Sequence, residues 1–169
     1  MTDHPPTVSL LRVTLCWGLM AACTASLAGP GPPSLTISQV SAPTFGTFMY
    51  GPANRQWALD TAGNITGANA ADYQFGAVAG EFIIRRRGGG RQGSGQIRVE
   101  NVVTTGGLNV ESIQCQFHSD PATDCMTSPI LGQIRGRRRL LIGVDVTTTQ
   151  AHAGGDTASV VFDITVTLL

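Results

Sequence analysis

The chain has 169 residues, and its eleven basic residues, all arginine, balance eleven acidic residues to a formal net charge of zero. Charged residues make up 13% of the sequence, against about 25% in an average soluble domain. This balance argues against a protein that binds nucleic acid through its overall charge. Because 42% of the residues are hydrophobic, the chain is too apolar for intrinsic disorder. The length fits one domain with one core.

The N-terminal segment, residues 1–28, is predicted to be a cleaved secretory signal peptide. Arg12 precedes the apolar run 13–25, which is shorter than the about 20 residues that a membrane span needs. Ser26 and Ala28 place small residues at the −3 and −1 positions of a cleavage site. A positive residue, a short apolar stretch and a small-x-small end are typical of signal peptides.

Two other fates of this segment stay open. Residues 20–23 (MAAC) are similar to a bacterial lipobox with Met20 in place of leucine, which would lipidate Cys23; a retained anchor helix is the other alternative. Cleavage after residue 28 leaves a mature chain without a transmembrane segment. We therefore expect an exported bacterial protein of the periplasm, the outer surface or the extracellular space.

The cysteines support export. Cys16 and Cys23 belong to the predicted signal peptide, so Cys115 and Cys125 are the pair of the mature chain. A lone pair in an exported protein is more often a disulfide than two free thiols, and no second pair of ligands stands at a zinc-finger distance. We expect a Cys115–Cys125 disulfide worth about 2.5–3 kcal/mol of stability.

The first half of the mature chain shows short strand patterns. A Pro/Gly-rich linker at residues 29–34 cannot be helical. Apolar alternation predicts short strands over residues 35–38, 45–50 and 55–61, whereas residues 62–79 are rich in Gly, Ala and Asn and are predicted to be mostly loop.

The second half shows stronger strand patterns. The glycine-rich residues 88–95 separate runs at 81–87 and 96–103, which predicts a long hairpin. A strand at 110–118 carries Cys115. The clearest alternation comes last, at 140–147 and 160–168, and the intervening residues are predicted to be a hairpin connection.

These patterns predict the fold class. No segment shows a sustained helical period with caps, so a substantial helix is not expected. Several short strands separated by turns predict an all-β fold, either a sandwich or a barrel. We expect an immunoglobulin-like antiparallel β-sandwich formed by residues 35–169, preceded by the signal peptide and linker.

Five segments, taken in chain order, resemble a known bacterial family of secreted β-sandwich domains, the domain of unknown function 4402. The segments are FGTF (45–48), ALDTAGN (58–64), AGEFIIR (79–85), LLIGVDVTT (140–148) and GGDTASVVFDITVTL (154–168). The chain departs from the family pattern at residues 157–159, where TAS replaces a tyrosine-glycine portion, and in the insertion between Cys115 and Cys125. The resemblance implies a fold similar to fimbrial and spore-coat-type subunits, hence a role in surface or appendage structure, and it supplies no catalytic residues.

Two arginine clusters are the first candidate site. Guanidinium groups bind phosphates and carboxylates bidentately, so clusters brought together would form an anion site for lipopolysaccharide phosphates or acidic polysaccharide. DNA has matching chemistry, but a nucleic-acid partner is not expected from the charge balance. The alternative is a solubilising loop surface in a lysine-free chain. The candidates are Arg85, Arg86, Arg87 and Arg91, followed by Arg135, Arg137, Arg138 and Arg139.

The sequence contains no clear metal-binding or catalytic motif. His118, Asp120, Asp124 and His152 are metal-competent residue types, but their spacing matches no ligand motif, and turns explain the aspartates better. The sequence has no G-x-S-x-G elbow and no phosphate-binding loop followed by a helix. We therefore expect no enzyme activity, no metal and no cofactor.

Two functions follow from these observations. The first is an exported, non-enzymatic structural or adhesive surface domain, similar to a fimbrial subunit, that contacts copies of itself or other surface proteins. The alternative is a periplasmic or extracellular binding module for an anionic glycan or lipid, which would act through the arginine clusters.

Overall fold

The computed structural model describes residues 7–14, 34–49, 51–87, 93–153 and 156–169. These residues form antiparallel strands and a single 3₁₀ turn at Ala70–Asp72, and none of their helical turns is long and apolar enough to cross a membrane. The all-β antiparallel sandwich predicted from the sequence is confirmed. The strands are β1 (Thr7–Thr14), β2 (Ser34–Ser41), β3 (Thr47–Phe48), β4 (Gln56–Leu59), β5 (Ile65–Thr66), β6 (Tyr73–Phe75), β7 (Gly80–Arg87), β8 (Gly93–Thr105), β9 (Leu108–Phe117), β10 (Thr123–Asp124), β11 (Ile130–Ile134), β12 (Arg137–Thr148) and β13 (Ser159–Leu168).

The first sheet contains four strands in the order β1-β13-β8-β11. β13 and β8 form its centre and pair from Ser159–Thr105 to Leu168–Gly95, with one irregularity between Val161 and Asp163. β11 pairs with the other edge of β8, and β1 pairs with the other edge of β13.

The second sheet is built around β12. One edge of β12 pairs with β9, and β10 extends the sheet beyond β9. The other edge pairs first with β7, over residues 137–142, and then with β4, over residues 144–147. β2 pairs with β7, β5 pairs with β4, and β3 and β6 form a separate two-stranded piece. Because β12 is bordered by different strands at its two ends, those ends carry different chemistry.

The core lies between the two sheets and follows the predicted alternation. β12 buries Leu140, Ile142, Val144 and Val146, and β13 buries Val160, Phe162, Ile164 and Val166. Fully burying a side chain of this size contributes about 1.5–3 kcal/mol. The two rows face each other because each strand points every second residue toward the opposite sheet.

Both hairpins predicted from the sequence are wrong. β7 pairs with β2 and β12, whereas β8 pairs with β11 and β13, so the glycine-rich stretch between β7 and β8 connects the two sheets. The last two long strands likewise lie in different sheets. The physical reason is common to both: two strands with one apolar row each can bury those rows against each other across a sandwich as well as beside each other within one sheet.

Three shorter predictions have mixed outcomes. A strand was expected over residues 45–50, but the described strand is only Thr47–Phe48. Residues 62–79 are mostly loop, as predicted, with the short β5, β6 and the 3₁₀ turn within them. The predicted Cys115–Cys125 disulfide is confirmed, with a Cα–Cα distance of 5.7 Å.

Most of the predicted signal peptide and the linker as far as residue 33 lie outside the described residues. The exception is β1, whose backbone covers the edge of β13. Cleavage after residue 28 stays a prediction, and it would remove β1 from this edge.

Candidate functional site

The structure brings the two arginine clusters together at one end of the sandwich. β7 and β12 are antiparallel neighbours, and Arg85 lies directly opposite Arg137 in their register. The backbone N–H of Arg86 also donates to the carbonyl oxygen of Gly136, at 3.0 Å. Arg91 lies outside the described residues. We call the described members the arginine end: Arg85, Arg86, Arg87, Arg135, Arg137, Arg138 and Arg139.

The outer face of the arginine end carries excess positive charge. Arg85, Arg87 and Arg137 are exposed and alternate with inward-pointing residues of the same strands. Arg139 differs, because its Nε and Nη2 each lie 2.9 Å from one carboxylate oxygen of Glu81. None of the ion pairs within the described ranges involves Arg85, Arg87 or Arg137. Arg139 is therefore neutralised, whereas its neighbours are not.

The inner side of the arginine end holds Arg86 and Arg138, which are only half-exposed. The Nε and Nη1 atoms of Arg86 and the Nε atom of Arg138 are buried and contact no hydrogen-bond acceptor. Arg86 Nη1 lies against Gly93 of β8, where a Cβ atom would overlap it. The Arg86 guanidinium group therefore reaches across to the opposite sheet without finding a counter-charge.

Among the described residues, His118 provides a hydrogen-bond acceptor for Arg138. Its Nε2 lies 2.9 Å from Arg138 Nη1. Because a guanidinium group only donates hydrogen bonds, Nε2 is the acceptor in this contact. The backbone N–H of His118 donates to the Arg139 carbonyl at 2.8 Å, which fixes this turn beside β12.

This arrangement is unfavourable without an anion. Like charges that face each other across an antiparallel pair are destabilising, and a half-buried cation without a partner has lost part of its hydration. A phosphate or carboxylate group placed between the guanidinium groups would relieve both effects. The arginine end therefore has the charge and the donor groups that an anion-binding site would need.

The remaining predicted candidates are separated by the fold. Asp124 accepts hydrogen bonds from the Met126 backbone and the Thr127 hydroxyl at 3.0 and 2.7 Å. Burial raises the pKa of Asp124, but these hydrogen bonds outweigh it and bring the pKa below its ordinary value. His152 lies at the opposite end of β12, bridged to Gly51. Across the described residues, no three metal-binding side chains cluster together.

The structure also shows a pocket that sequence reasoning missed. A cavity of about 330 Å³ lies where β4 borders β12, at the end opposite the arginines. We call it the aromatic pocket. The available signal was the concentration of aromatic residues between positions 45 and 75 in a chain with only 6% aromatic residues. The side chains that matter for its chemistry are Phe45, Phe48, Arg55, Trp57, His152 and Asp156.

Comparisons with known proteins found no matching family model, no matching curated protein and no matching solved structure. The resemblance to domain of unknown function 4402 therefore stays a prediction.

Proposed function

We propose that this protein is an exported, non-enzymatic binding module whose arginine end binds clustered phosphate or carboxylate groups of a glycan or a lipid headgroup. The observation that carries the proposal is the meeting of both clusters on neighbouring strands, with Arg85 facing Arg137. An adhesive role at a cell surface is compatible with this chemistry, because surface glycans and lipids are the sources of such anions.

The pairing of Arg139 with Glu81 supports the proposal, because it shows how a purely solubilising surface would neutralise the neighbouring arginines. A purely solubilising surface intersperses charges of both signs, and Glu81 does this for Arg139 with a bidentate contact. Arg85 and Arg137 have no such partner among the described residues. Arg86 and Arg138 add half-buried charge beneath them, where screening by salt is weaker than at the surface.

A structural surface subunit is the second candidate, and the edge of β13 favours it. β1, which pairs with this edge, falls within the segment predicted to be cleaved. After cleavage, the backbone N–H and C=O groups of β13 would be available to a strand of a second copy or of another surface protein. Light scattering on the chain lacking residues 1–28 tests this candidate: concentration-dependent oligomers support it, and a monomer at all concentrations rejects it.

The binding module is tested by the affinity of the protein for heparin and for phosphatidylcholine vesicles with and without phosphatidylglycerol. We expect the double variant Arg85→Gln/Arg137→Gln to weaken binding at least tenfold, or about 1.4 kcal/mol. The single variants Arg85→Gln and Arg137→Gln are compared with Arg98→Gln, which also removes one positive charge but from β8, where Arg98 lies 3.7 Å from Glu100.

Comparing heparin with the anionic vesicles identifies the source of the anion. Saturable binding to heparin alone indicates a glycan, and binding to the anionic vesicles alone indicates a lipid headgroup. An affinity that is equal in wild type and double variant, or that falls as much with Arg98→Gln as with either single variant, would show that the arginine end is only a solvated surface.

A further inference from the structure

The aromatic pocket has the composition of a small-molecule site and plays no part in the proposed anion binding. Its volume of about 330 Å³ lies at the small end of the about 300–1,000 Å³ typical of ligand pockets. Such sites are lined mainly by apolar and aromatic side chains, with a few polar groups that orient the ligand. Phe48 and Trp57 supply the aromatic surface, and Arg55 and His152 supply polar groups.

The aromatic surface is held in a fixed arrangement. The rings of Phe48 and Trp57 have centroids 4.3 Å apart, and Tyr73 packs edge-on behind Phe48 at 5.6 Å. The Trp57 indole N–H donates to the Asn69 carbonyl at 3.0 Å, and the Tyr73 hydroxyl accepts the Ala77 N–H at 3.0 Å. Because these polar atoms are already satisfied, the rings are left to present apolar faces rather than hydrogen-bonding groups.

The polar groups on the wall still have unused hydrogen-bonding capacity. Arg55 Nη1 lies 3.3 Å from Asp72, but Arg55 Nε is buried without an acceptor. His152 Nε2 is also buried without a partner, while its Nδ1 lies 4.0 Å from Asp156. Both atoms are covered by protein, so a hydrogen bond to a ligand would require the side chains to turn toward the cavity. A buried polar atom without a partner is unfavourable, and a hydrogen bond to a suitable ligand would relieve this cost.

From this geometry we infer that the aromatic pocket binds one ring of a neutral sugar. A pyranose has an apolar C–H face that packs on an aromatic ring, and its hydroxyl groups donate and accept, which matches Arg55 Nε and either tautomer of His152. A charged ligand of either sign meets a group of like charge on the wall, Arg55 for a cation and Asp156 for an anion. The pairing of Arg55 with Asp72 also weakens its attraction for an anion.

This inference does not depend on the arginine end. β12 begins at Arg137 and ends at Thr148, so the two regions are separated by the length of a strand with a rise of about 3.3 Å per residue. Substitutions at one end should leave binding at the other unchanged, which makes failure of either proposal recognisable by itself.

Tryptophan fluorescence provides a direct readout. The sequence has two tryptophans, Trp17 and Trp57, so in the full chain carrying Trp17→Phe all tryptophan emission comes from the pocket. The probes are glucose, galactose, mannose and N-acetylglucosamine, each titrated to about 10 mM, with saturation-transfer NMR as a second measurement. We expect a saturable change with at least one sugar, with a Kd of about 1 mM or lower.

Two histidine variants make the test specific. His152→Ala, which removes a wall residue that is not part of the main core cluster, should weaken the sugar response at least tenfold. His118→Ala, at the arginine end, is the matched control and should leave it unchanged. The inference is overturned if no sugar gives a saturable response, or if His118→Ala weakens the response as much as His152→Ala. It is also overturned if a proline-rich peptide such as GPGPP, and none of the sugars, gives a saturable change in tryptophan emission.

Discussion

The two ends of β12 differ in how their polar groups are partnered, although one continuous strand carries both. At the arginine end, guanidinium groups outnumber the acids that could neutralise them, and Glu81 satisfies only Arg139. At the aromatic end the arginine is paired: Arg55 Nη1 lies 3.3 Å from Asp72, and the fully buried Thr148 accepts the Arg55 N–H at 2.9 Å. Arg55 Nε and His152 Nε2 nevertheless have no partner there. Between the two ends, the inward-facing side chains of β12 are buried in the core. The groups proposed to bind ligands therefore lie near the two ends of β12, away from the tightly packed centre of the sandwich.

The largest effect is expected from removing the framework that both ends share. Deleting residues 158–169 removes β13, whose buried row packs against the row of β12. At about 1.5–3 kcal/mol for each buried side chain, the lost burial is as large as the about 5–15 kcal/mol net stability of a whole domain, so the chain should not fold. Circular dichroism and thermal unfolding measure this. Deleting residues 29–33, outside the described part of the chain, is the control and should be nearly silent; a folded protein without residues 158–169 would contradict the expectation.

We expect the disulfide to stabilise the whole sandwich and to have no selective effect on binding at either end of β12. Cys115 lies opposite Ile142 in the middle of β12, and Cys125 is fully buried. Substituting both cysteines by alanine should lower the free energy of unfolding by about 2.5–3 kcal/mol, as measured by urea unfolding. Affinity for heparin and for sugars should be unchanged in the remaining folded protein; a selective loss of one of them would show that the bridge supports that end in particular.

A substitution of the glycine in the middle of β12 should affect the aromatic end and leave the arginine end unchanged. A Cβ at Gly143 would overlap the Leu59 carbonyl oxygen and lie 2.9 Å from Asp60 C, both backbone atoms at the end of β4. Gly143→Ala should therefore displace β4, which carries Trp57, and cost about 1–3 kcal/mol.

For Gly143→Ala we expect a weakened fluorescence response to sugars, whereas the affinity for heparin should be retained. Gly136→Ala is the counterpart at the arginine end: its Cβ would meet no atom within 4 Å, but the backbone has φ of +64°, so the cost is strain of about 1 kcal/mol. Equal effects of Gly143→Ala on both binding activities would mean that the two ends are coupled through β12.

Arg86 tests whether the arginine end is shaped for binding rather than for stability. Its Nε and Nη1 atoms are buried without an acceptor, and such uncompensated charge is unfavourable. Arg86→Met retains much of the side-chain volume and removes the charge, so stability should stay level or rise by about 1 kcal/mol while heparin affinity falls. A clear loss of stability would show that Arg86 holds the strands together and would weaken the contrast between the ends.

The smallest expected effect is a loss of stability at low pH. It should not change the difference between the two ends of β12. Burial raises the pKa of Asp60, but hydrogen bonds from Asn64, Ala62 and Gly63 outweigh it and bring the pKa below its ordinary value of 3.8. A folded-state pKa below the unfolded value means that this stabilisation is complete above pH 3.8 and is lost as pH falls through the folded pKa.

Urea midpoints at about pH 6 and about pH 3 should therefore show a smaller acid-induced loss of stability in Asp60→Asn than in the wild-type protein. Asp124→Asn should behave in the same way, because the pKa of Asp124 is lowered for the same reason. An unchanged pH dependence in both variants would assign acid sensitivity to other carboxylates.

Local patterns in the sequence were enough for the long strands β7, β8, β9, β12 and β13 and for the disulfide, but they missed β11. The rows in β12 and β13 follow from period-two alternation, which depends only on neighbouring residues. The partners of these strands could not be obtained in this way. β7 and β8 are adjacent in sequence and lie in different sheets, because alternation specifies which side of a strand is buried but not what covers it.

The sequence by itself determined that this chain forms antiparallel strands, that Cys115 and Cys125 can bridge, and that its cations are arginines in two groups. Only the tertiary structure decided that Arg85 faces Arg137, that Glu81 neutralises Arg139, and that Phe48, Trp57 and His152 line one pocket. The physical reason is range: strand formation and disulfide spacing depend on local chain geometry, whereas an anion site or a ligand pocket depends on residues that are far apart in sequence and meet only when the sheets assemble.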